Sequence, residues 1–181
     1  MASDKPDQNI RIHVTHNFKD IDIPQRKLRK LIKIICGHFG THRQNNTTVF
    51  SSNKYEISIA IVDDKDFKKI NHKFLKRRTL SDCLSFDLSD NEPGCVKTFE
   101  LVINGQMALR QAALRGHSSE AELALYITHG LLHNFGFDDL EPSQAKIMHE
   151  KEDEILQELG YGFVYNKNMN ISKNKKNEQE L

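Results

Sequence analysis

The stretch SEAELALYITHGLLHNFG, residues 119–136, determines what lies at the centre of the fold. Apolar residues occupy nearly every side of its helical wheel, and a helix of this kind is stable only when protein surrounds it. Ser118 or Ser119 can cap its first turn, with Glu122 close behind, and Gly136 can end it. The sequence therefore predicts a helix buried in the middle of the protein.

Two histidines stand on this helix. His129 and His133 are four residues apart, so both imidazoles can point to one place. A buried imidazole needs a partner for each ring nitrogen, and one metal ion can serve two imidazoles. The chain can turn back after the helix, where Asp138 and Asp139 are the available carboxylates. Two imidazoles and a carboxylate form an open zinc-type ligand set. The residues alone leave two interpretations: a metal site, or hydrogen-bonded core histidines.

The same helix argues against one class of metal enzyme. Metalloproteases of the H-E-x-x-H type carry a glutamate, the general base, directly after the first histidine. Gly130 occupies that position here. The histidine spacing is therefore compatible with a metal site, but the sequence lacks the base that peptide hydrolysis of this type requires.

The rest of the chain places strands early and helices late. We predict strands around residues 11–14, 55–63, 83–87 and 98–104, from alternating or isoleucine-rich runs. We predict helices from Pro24 to Gly37 or Gly40, over 64–73, over 105–115 and over 142–159, besides the central one. This order favours an α+β fold over a doubly wound α/β sheet.

Composition and length indicate one domain. Of the 181 residues, 9–165 have a normal apolar content, whereas the polar ends 1–8 and 166–181 are expected to be disordered tails. The sequence shows neither a membrane span nor a signal peptide. The three cysteines, Cys36, Cys83 and Cys95, have no disulfide or thiolate-zinc spacing. We expect a cytoplasmic protein without membrane contact.

Charge is unevenly distributed along the chain. Residues 65–78 carry seven basic and one acidic residue, a net +6, which suits a polyanionic partner or simply a solvated lysine-rich face. Phe and Tyr do not alternate with these cations as in stacking platforms, so we expect mainly electrostatic recognition. The acidic stretch 150–158 is expected to be a solvated helix face. The remaining histidines are expected at the surface: His13, His16, His38, His42, His72 and His117.

Four separate motifs together resemble the YbeY family of bacterial metal-dependent single-strand endoribonucleases. The family pattern H-G-x-L-H-x-x-G-x-D-H is matched by His129, Gly130, Leu132, His133, Gly136 and Asp138. An Asn followed about ten residues later by T-D-V-L-S-F is matched by Asn71 and SDCLSF (81–86). Two further motifs follow in family order: FELVI (99–103) with RQA (110–112), and then Met148, Glu152, Ile155 and Leu156.

The resemblance implies a fold and an activity. The fold would be a small mixed sheet of about four strands packed by about five helices, with the metal site on the buried helix and the turn after it. The activity would be metal-dependent cleavage of single-stranded RNA in ribosomal RNA processing, including maturation of the small-subunit RNA 3′ end, and in ribosome quality control. Expected partners are ribosomal RNA and the small ribosomal subunit or its assembly factors, but not DNA.

The resemblance also implies a metal-ligand set that departs from the family. The third family histidine falls at Asp139, so one Zn²⁺ per chain would be held by His129, His133 and Asp139. A carboxylate lowers the charge of the complex from +2 to +1, which would admit manganese or magnesium. His149 is a lower-ranked alternative third ligand.

A family arginine that contacts RNA phosphate falls at Leu75 in this chain. The candidate replacements for RNA binding are the nearby cations Lys73, Lys76, Arg77 and Arg78. No protein general base can be named from the sequence. Two alternatives to the nuclease remain: a non-catalytic ribosome-assembly factor with a structural metal, and a metal hydrolase acting on a small phosphoester.

Overall fold

The computed structural model describes residues 9–39, 42–44, 47–49, 54–90, 92 and 94–165. The tails predicted at 1–8 and 166–181 lie outside the described residues. The elements in chain order are β1 (Ile10–His16), α1 (Gln25–Phe39), β2 (His42–Gln44), β3 (Thr47–Val49), β4 (Tyr55–Val62), α2 (Asp64–Leu75), β5 (Cys83–Asp87), β6 (Lys97–Asn104), α3 (Gly105–Arg115), α4 (Ser119–Asn134) and α5 (Pro142–Glu158).

The main sheet is mixed and has four strands in the order β1-β4-β6-β5. The strands β1, β4 and β6 run parallel, with Ile57 of β4 opposite Phe99 of β6. The strand β5 pairs antiparallel with β6, with Cys83 opposite Ile103, and forms one edge. This sheet and the five helices confirm the predicted α+β fold. The strands β2 and β3 form a separate antiparallel pair that the sequence did not predict.

Helices cover both faces of the sheet. Alternate residues of β4, namely Ile57, Ile59 and Ile61, are buried in the main core together with side chains of α1, α4 and α5. A smaller core joins Phe67 of α2 to Val62 and Leu84. Since Leu84 lies in β5, that edge strand contacts α2 with one face and faces α4 with the other.

The helix α4 is the central helix that the sequence predicted. Eleven of its sixteen residues are buried, and Ser118 caps it by accepting a hydrogen bond from Ala121 N at 3.2 Å. Gly130 marks where the helix meets the sheet most closely, because a Cβ there would lie 2.9 Å from Leu101 Cδ2 and 3.2 Å from Cys83 Sγ. The helix that carries the histidines is therefore pressed against β5 and β6.

One histidine expected at the surface is largely covered instead. The His117 side chain is 11% exposed and its Nε2 contacts the carboxylate of Glu122, which is fully buried. Arg115 Nη1 donates to the other Glu122 oxygen at 3.1 Å. The surface expectation was wrong for His117, because the turn between α3 and α4 folds it over a buried acid.

Among the described residues, no helix is both long enough and apolar enough to cross a membrane.

Candidate metal centre

The side chains of His129 and His133 meet at one end of α4, and their Nε2 atoms lie 3.1 Å apart. The other ring nitrogen of each histidine already has an acceptor. His129 Nδ1 lies 2.7 Å from Glu152 Oε1, and His133 Nδ1 lies 3.0 Å from the carbonyl oxygen of Phe137. Because a carboxylate and a carbonyl only accept, both Nδ1 atoms carry hydrogen. Both Nε2 atoms are therefore left facing each other.

The chain turn after α4 supplies the carbonyl. Gly136, with a φ of +88°, reverses the chain, and Phe137 N donates to Leu132 O at 3.0 Å. A left-handed residue at this position is how many helices end. The turn brings the Phe137 carbonyl back beside His133, so the glycine of the motif indirectly sets the orientation of that imidazole.

The two facing Nε2 atoms favour a cation beside them. Two neutral imidazoles in this orientation would direct their lone pairs at each other, which only a shared proton or a metal ion relieves. Burial opposes charge on His129, but the carboxylates of Glu152, Asp82 and Asp139 outweigh it and raise the pKa of His129 above its usual value. A metal ion bound by both Nε2 atoms would compete with a proton at that position.

Asp139 is the third candidate donor. Its Oδ2 lies 3.7 Å from His129 Nε2, and its Oδ1 lies 3.8 Å from His133 Nε2. With zinc bonds of about 2.0–2.1 Å, tetrahedral donors lie about 3.3 Å apart, close to the observed separations. Asp138 instead accepts backbone hydrogen bonds from Asp139 N and Leu140 N. Of the two carboxylates left open by the sequence, the structure brings Asp139 to the histidines, and the donor set fits a metal ion.

His149 lies on the other side of the His129 ring. Its Nδ1 contacts Glu152 Oε2 at 2.8 Å, and its ring stacks on Tyr165 at 3.5 Å between centroids. His129, His149 and Glu152 have candidate ligand atoms within 4.8 Å of one another, in a group separate from the one with His133. His149 thus shares the Glu152 carboxylate with His129 and does not belong to the candidate group with His133 and Asp139.

Glu152 was missed as a site residue. It is 1% exposed, so the expectation of a solvated acidic face was wrong for it and for Asp153, which is 2% exposed. Burial raises the pKa of Glu152, but hydrogen bonds from His129 and His149 outweigh it and leave the pKa below its usual value. The signal was present in the spacing, because Glu152 follows Met148 by four residues and shares its inward face of α5.

Asp82 was also missed, although the motif that contains it was recognised. Its Oδ1 accepts a hydrogen bond from Cys83 N at 2.8 Å. Its Oδ2 lies 3.8 Å from His129 Nε2. The Asp82 and Asp139 side chains are 35% and 36% exposed, so they border the solvent side of the centre.

The predicted RNA-binding cations lie at the end of α2 and in the loop that leads from α2 to Asp82. Lys73 is in the last turn of α2, while Lys76, Arg77 and Arg78 follow it, and all four are exposed. Asn71, which is 2% exposed, donates from Nδ2 to Thr79 O at 2.8 Å and so fastens this loop to the helix. The loop continues directly into Asp82. The cations and Asp82 therefore lie in one continuous segment between α2 and β5.

Comparisons with known proteins agree with the motifs. A family model described as "Endoribonuclease YbeY" matches residues 13–160. Proteins named "Endoribonuclease YbeY" include one from Shouchella clausii, 36% identical over 146 residues, covering 74% of this chain and 86% of that protein. One from Ureaplasma urealyticum is 38% identical over 113 residues, covering 62% and 70%. One from Myxococcus xanthus is 38% identical over 108 residues, but this chain spans 37% of its length.

A solved structure shares the fold. The solution structure of a Thermotoga maritima protein matches with a TM-score of 0.56 at 21% identity, covering 82% of this chain and 88% of that one. At this identity, the similarity supports the α+β architecture and carries no statement about chemistry.

Proposed function

Because this chain belongs to the YbeY family, we propose that it is a metal-dependent endoribonuclease that cleaves single-stranded RNA in the cytoplasm. Its RNA would be ribosomal, at the 3′ end of the small-subunit RNA and in ribosome quality control, with the small subunit or its assembly factors as partners. Residues 9–165 would form the single nuclease domain. The observation that carries the proposal is the three-donor group of His129, His133 and Asp139.

The residues of the centre have distinct tasks in this proposal. His129, His133 and Asp139 would hold one Zn²⁺ ion, which polarises a phosphoryl oxygen or activates water when bound. Glu152 and the Phe137 carbonyl keep hydrogen on the Nδ1 atoms, so both Nε2 atoms are free to be ligands. The carboxylate at position 139, where the family has histidine, would lower the charge of the complex and admit Mn²⁺ or Mg²⁺.

Asp82 is the candidate proton acceptor that the sequence did not supply. Its free oxygen is beside His129 Nε2 on the solvent side, where an attacking water or 2′-hydroxyl would approach. The cations of the loop, Lys76, Arg77 and Arg78, together with Lys73, would neutralise phosphates of the bound strand.

Metal analysis and RNA cleavage test the proposal together. The purified protein should carry stoichiometric metal by elemental analysis and cut single-stranded RNA. His133→Ala should lose both properties, whereas His13→Ala should keep them, since His13 is 63% exposed on β1. A protein that carries metal but leaves RNA uncut with every divalent ion tested would refute the enzyme. A metal-free protein that is insensitive to chelators would refute the metal centre.

A non-catalytic assembly factor with a structural metal is the second candidate. The observation behind it is that Asp82 Oδ2 lies 3.8 Å from His129 Nε2. A shift of Asp82 towards His133 and Asp139 would add a fourth protein donor and close the site, as in structural zinc centres. In that case Asp82→Asn should weaken metal binding as much as His133→Ala does. If Asp82 instead accepts a proton, Asp82→Asn should keep the metal and lose cleavage.

A further inference from the structure

The helix α2 ends with an exposed aromatic side chain among cations. Phe74 is 58% exposed, and the Nζ atom of Lys73 lies 5.3 Å from the centroid of its ring. The next residues include Lys76, Arg77 and Arg78, all exposed. The sequence predicted mainly electrostatic recognition because aromatic residues do not alternate with these cations, but one exposed aromatic ring lies beside them.

The position of Phe74 explains its exposure. Phe67, two helical turns earlier on the same side of α2, is fully buried with Val62 and Leu84. Phe74 reaches Phe86 of the edge strand β5 instead, at 5.6 Å between ring centroids and a tilt of 56°. Phe86 supports the Phe74 ring, and much of the Phe74 surface remains open to solvent.

An exposed aromatic ring with cations around it has the chemistry of a single-strand site. Nucleobases stack on aromatic side chains regardless of their sequence, and neighbouring Lys and Arg neutralise the phosphates. A duplex keeps its base faces covered, so a ring of this kind distinguishes unpaired from paired nucleotides. A protein partner is less favoured, because residues 65–78 carry a net charge of +6 and their one acid, Asp66, already pairs with Lys69 at 2.7 Å.

We propose that Phe74, supported by Phe86, is a stacking platform for one unpaired nucleobase of the RNA substrate. This inference rests on the proposed endoribonuclease function and names the residue that would select single strands. The platform is joined to the metal centre by β5, since Asp82 directly precedes this strand and Phe86 lies four residues later, about 13 Å along it. The RNA strand would pass over the edge of the sheet between them.

Binding of two matched oligonucleotides tests the platform. The probe is a labelled single-stranded 2′-O-methyl oligoribonucleotide, and its partner has the same backbone with abasic positions. Fluorescence anisotropy with the full-length protein should show that Phe74→Ala weakens binding of the base-bearing probe by about 5- to 150-fold, the range for one stacked base. Binding of the abasic probe should not change. Phe74→Tyr should retain affinity, and Leu114→Ala, a change at a 79% exposed leucine on α3, should have no effect.

Salt dependence separates stacking from charge. Lys76→Ala should reduce the slope of log affinity against log salt by about one, whereas Phe74→Ala should leave the slope unchanged. Equal binding of the base-bearing probe by wild type and Phe74→Ala would refute the platform while leaving the nuclease proposal intact. An equal loss for both probes would also refute it. A wild-type protein that binds neither probe, and instead retains a protein partner through Phe74, would overturn the proposed function itself.

Discussion

Replacing Glu152 by glutamine tests whether this carboxylate supports the candidate metal centre, because the change removes a charge while keeping the size of the side chain. Each carboxylate oxygen accepts one imidazole N–H, from His129 at 2.7 Å and from His149 at 2.8 Å. Glutamine has one acceptor oxygen, so its amide NH₂ would face the second N–H. One of the two hydrogen bonds is lost in a site that is 1% exposed.

The magnitude follows from the type of bond removed. A hydrogen bond to a charged group contributes about 1.5–3 kcal/mol, so we expect the free energy of unfolding of Glu152→Gln to fall by about 2 kcal/mol at neutral pH. Zinc affinity should fall by about 10- to 100-fold, the usual effect of removing a group that orients a ligand. Both effects arise because the glutamine oxygen can accept from only one of the two imidazoles, so His129 and His149 compete for the acceptor that fixes the Nδ1 hydrogen of His129.

The difference from wild type should depend on pH. The pKa of Glu152 in the folded protein is below its ordinary value of 4.5. A lowered folded-state pKa means that the contribution is complete above pH 4.5 and is lost as the pH falls through the folded value. The stability gap between wild type and Glu152→Gln should therefore narrow in acid.

Urea unfolding followed by circular dichroism measures the stability, and competition with a chromophoric chelator measures zinc affinity. The control is Glu154→Gln on the same helix, whose exposed side chain pairs with Lys151 and should affect neither quantity. If Glu152→Gln and Glu154→Gln give the same results in both measurements, Glu152 does not support His129 in the way that the contacts indicate.

Three further substitutions test the packing, the loop and the ligand set. Gly130→Ala should destabilise the protein by about 1–3 kcal/mol through overpacking, whereas Gly37→Ala, with nothing within 4 Å of the new Cβ, should not; urea unfolding compares them. Asn71→Ala should cost about 1 kcal/mol in the same assay and weaken RNA binding in anisotropy, because the bond to Thr79 O is lost. Unchanged RNA affinity in Asn71→Ala would show that the bond between Asn71 and the loop does not contribute to RNA binding. Asp139→His should tighten zinc binding in chelator competition, and unchanged affinity would mean that Asp139 is not a ligand.

Periodicity predicted most of the elements but not how they assemble. The alternation in Tyr55–Val62 and the apolar surface of α4 identify a strand and a central helix, since burial alone produces these patterns. The sheet order β1-β4-β6-β5 depends on contacts between distant segments and leaves no mark in a local window. The strands β2 and β3 have three residues each, too few to show a period.

The site was predictable where its residues are close in the chain. Helical spacing pairs His129 with His133, and the family motif selects Asp139 as the third candidate ligand. Spacing alone does not separate Asp139 from Asp138, whereas the geometry of the turn does. Glu152 and Asp82 reach His129 through the packing of α5 and β5 on α4, over separations that local patterns do not cover. Their roles therefore required the tertiary structure.

The close packing at Gly130 also restricts which residues can follow the first histidine of the motif. A glutamate after the first histidine would convert the motif into the H-E-x-x-H of metalloproteases. At this position even a methyl group would lie 2.9 Å from a side-chain atom of Leu101. A glutamate at position 130 would therefore have to displace the side chains of Leu101 and Cys83. The two motifs differ by one residue in sequence, but the sheet packed against α4 opposes that substitution here.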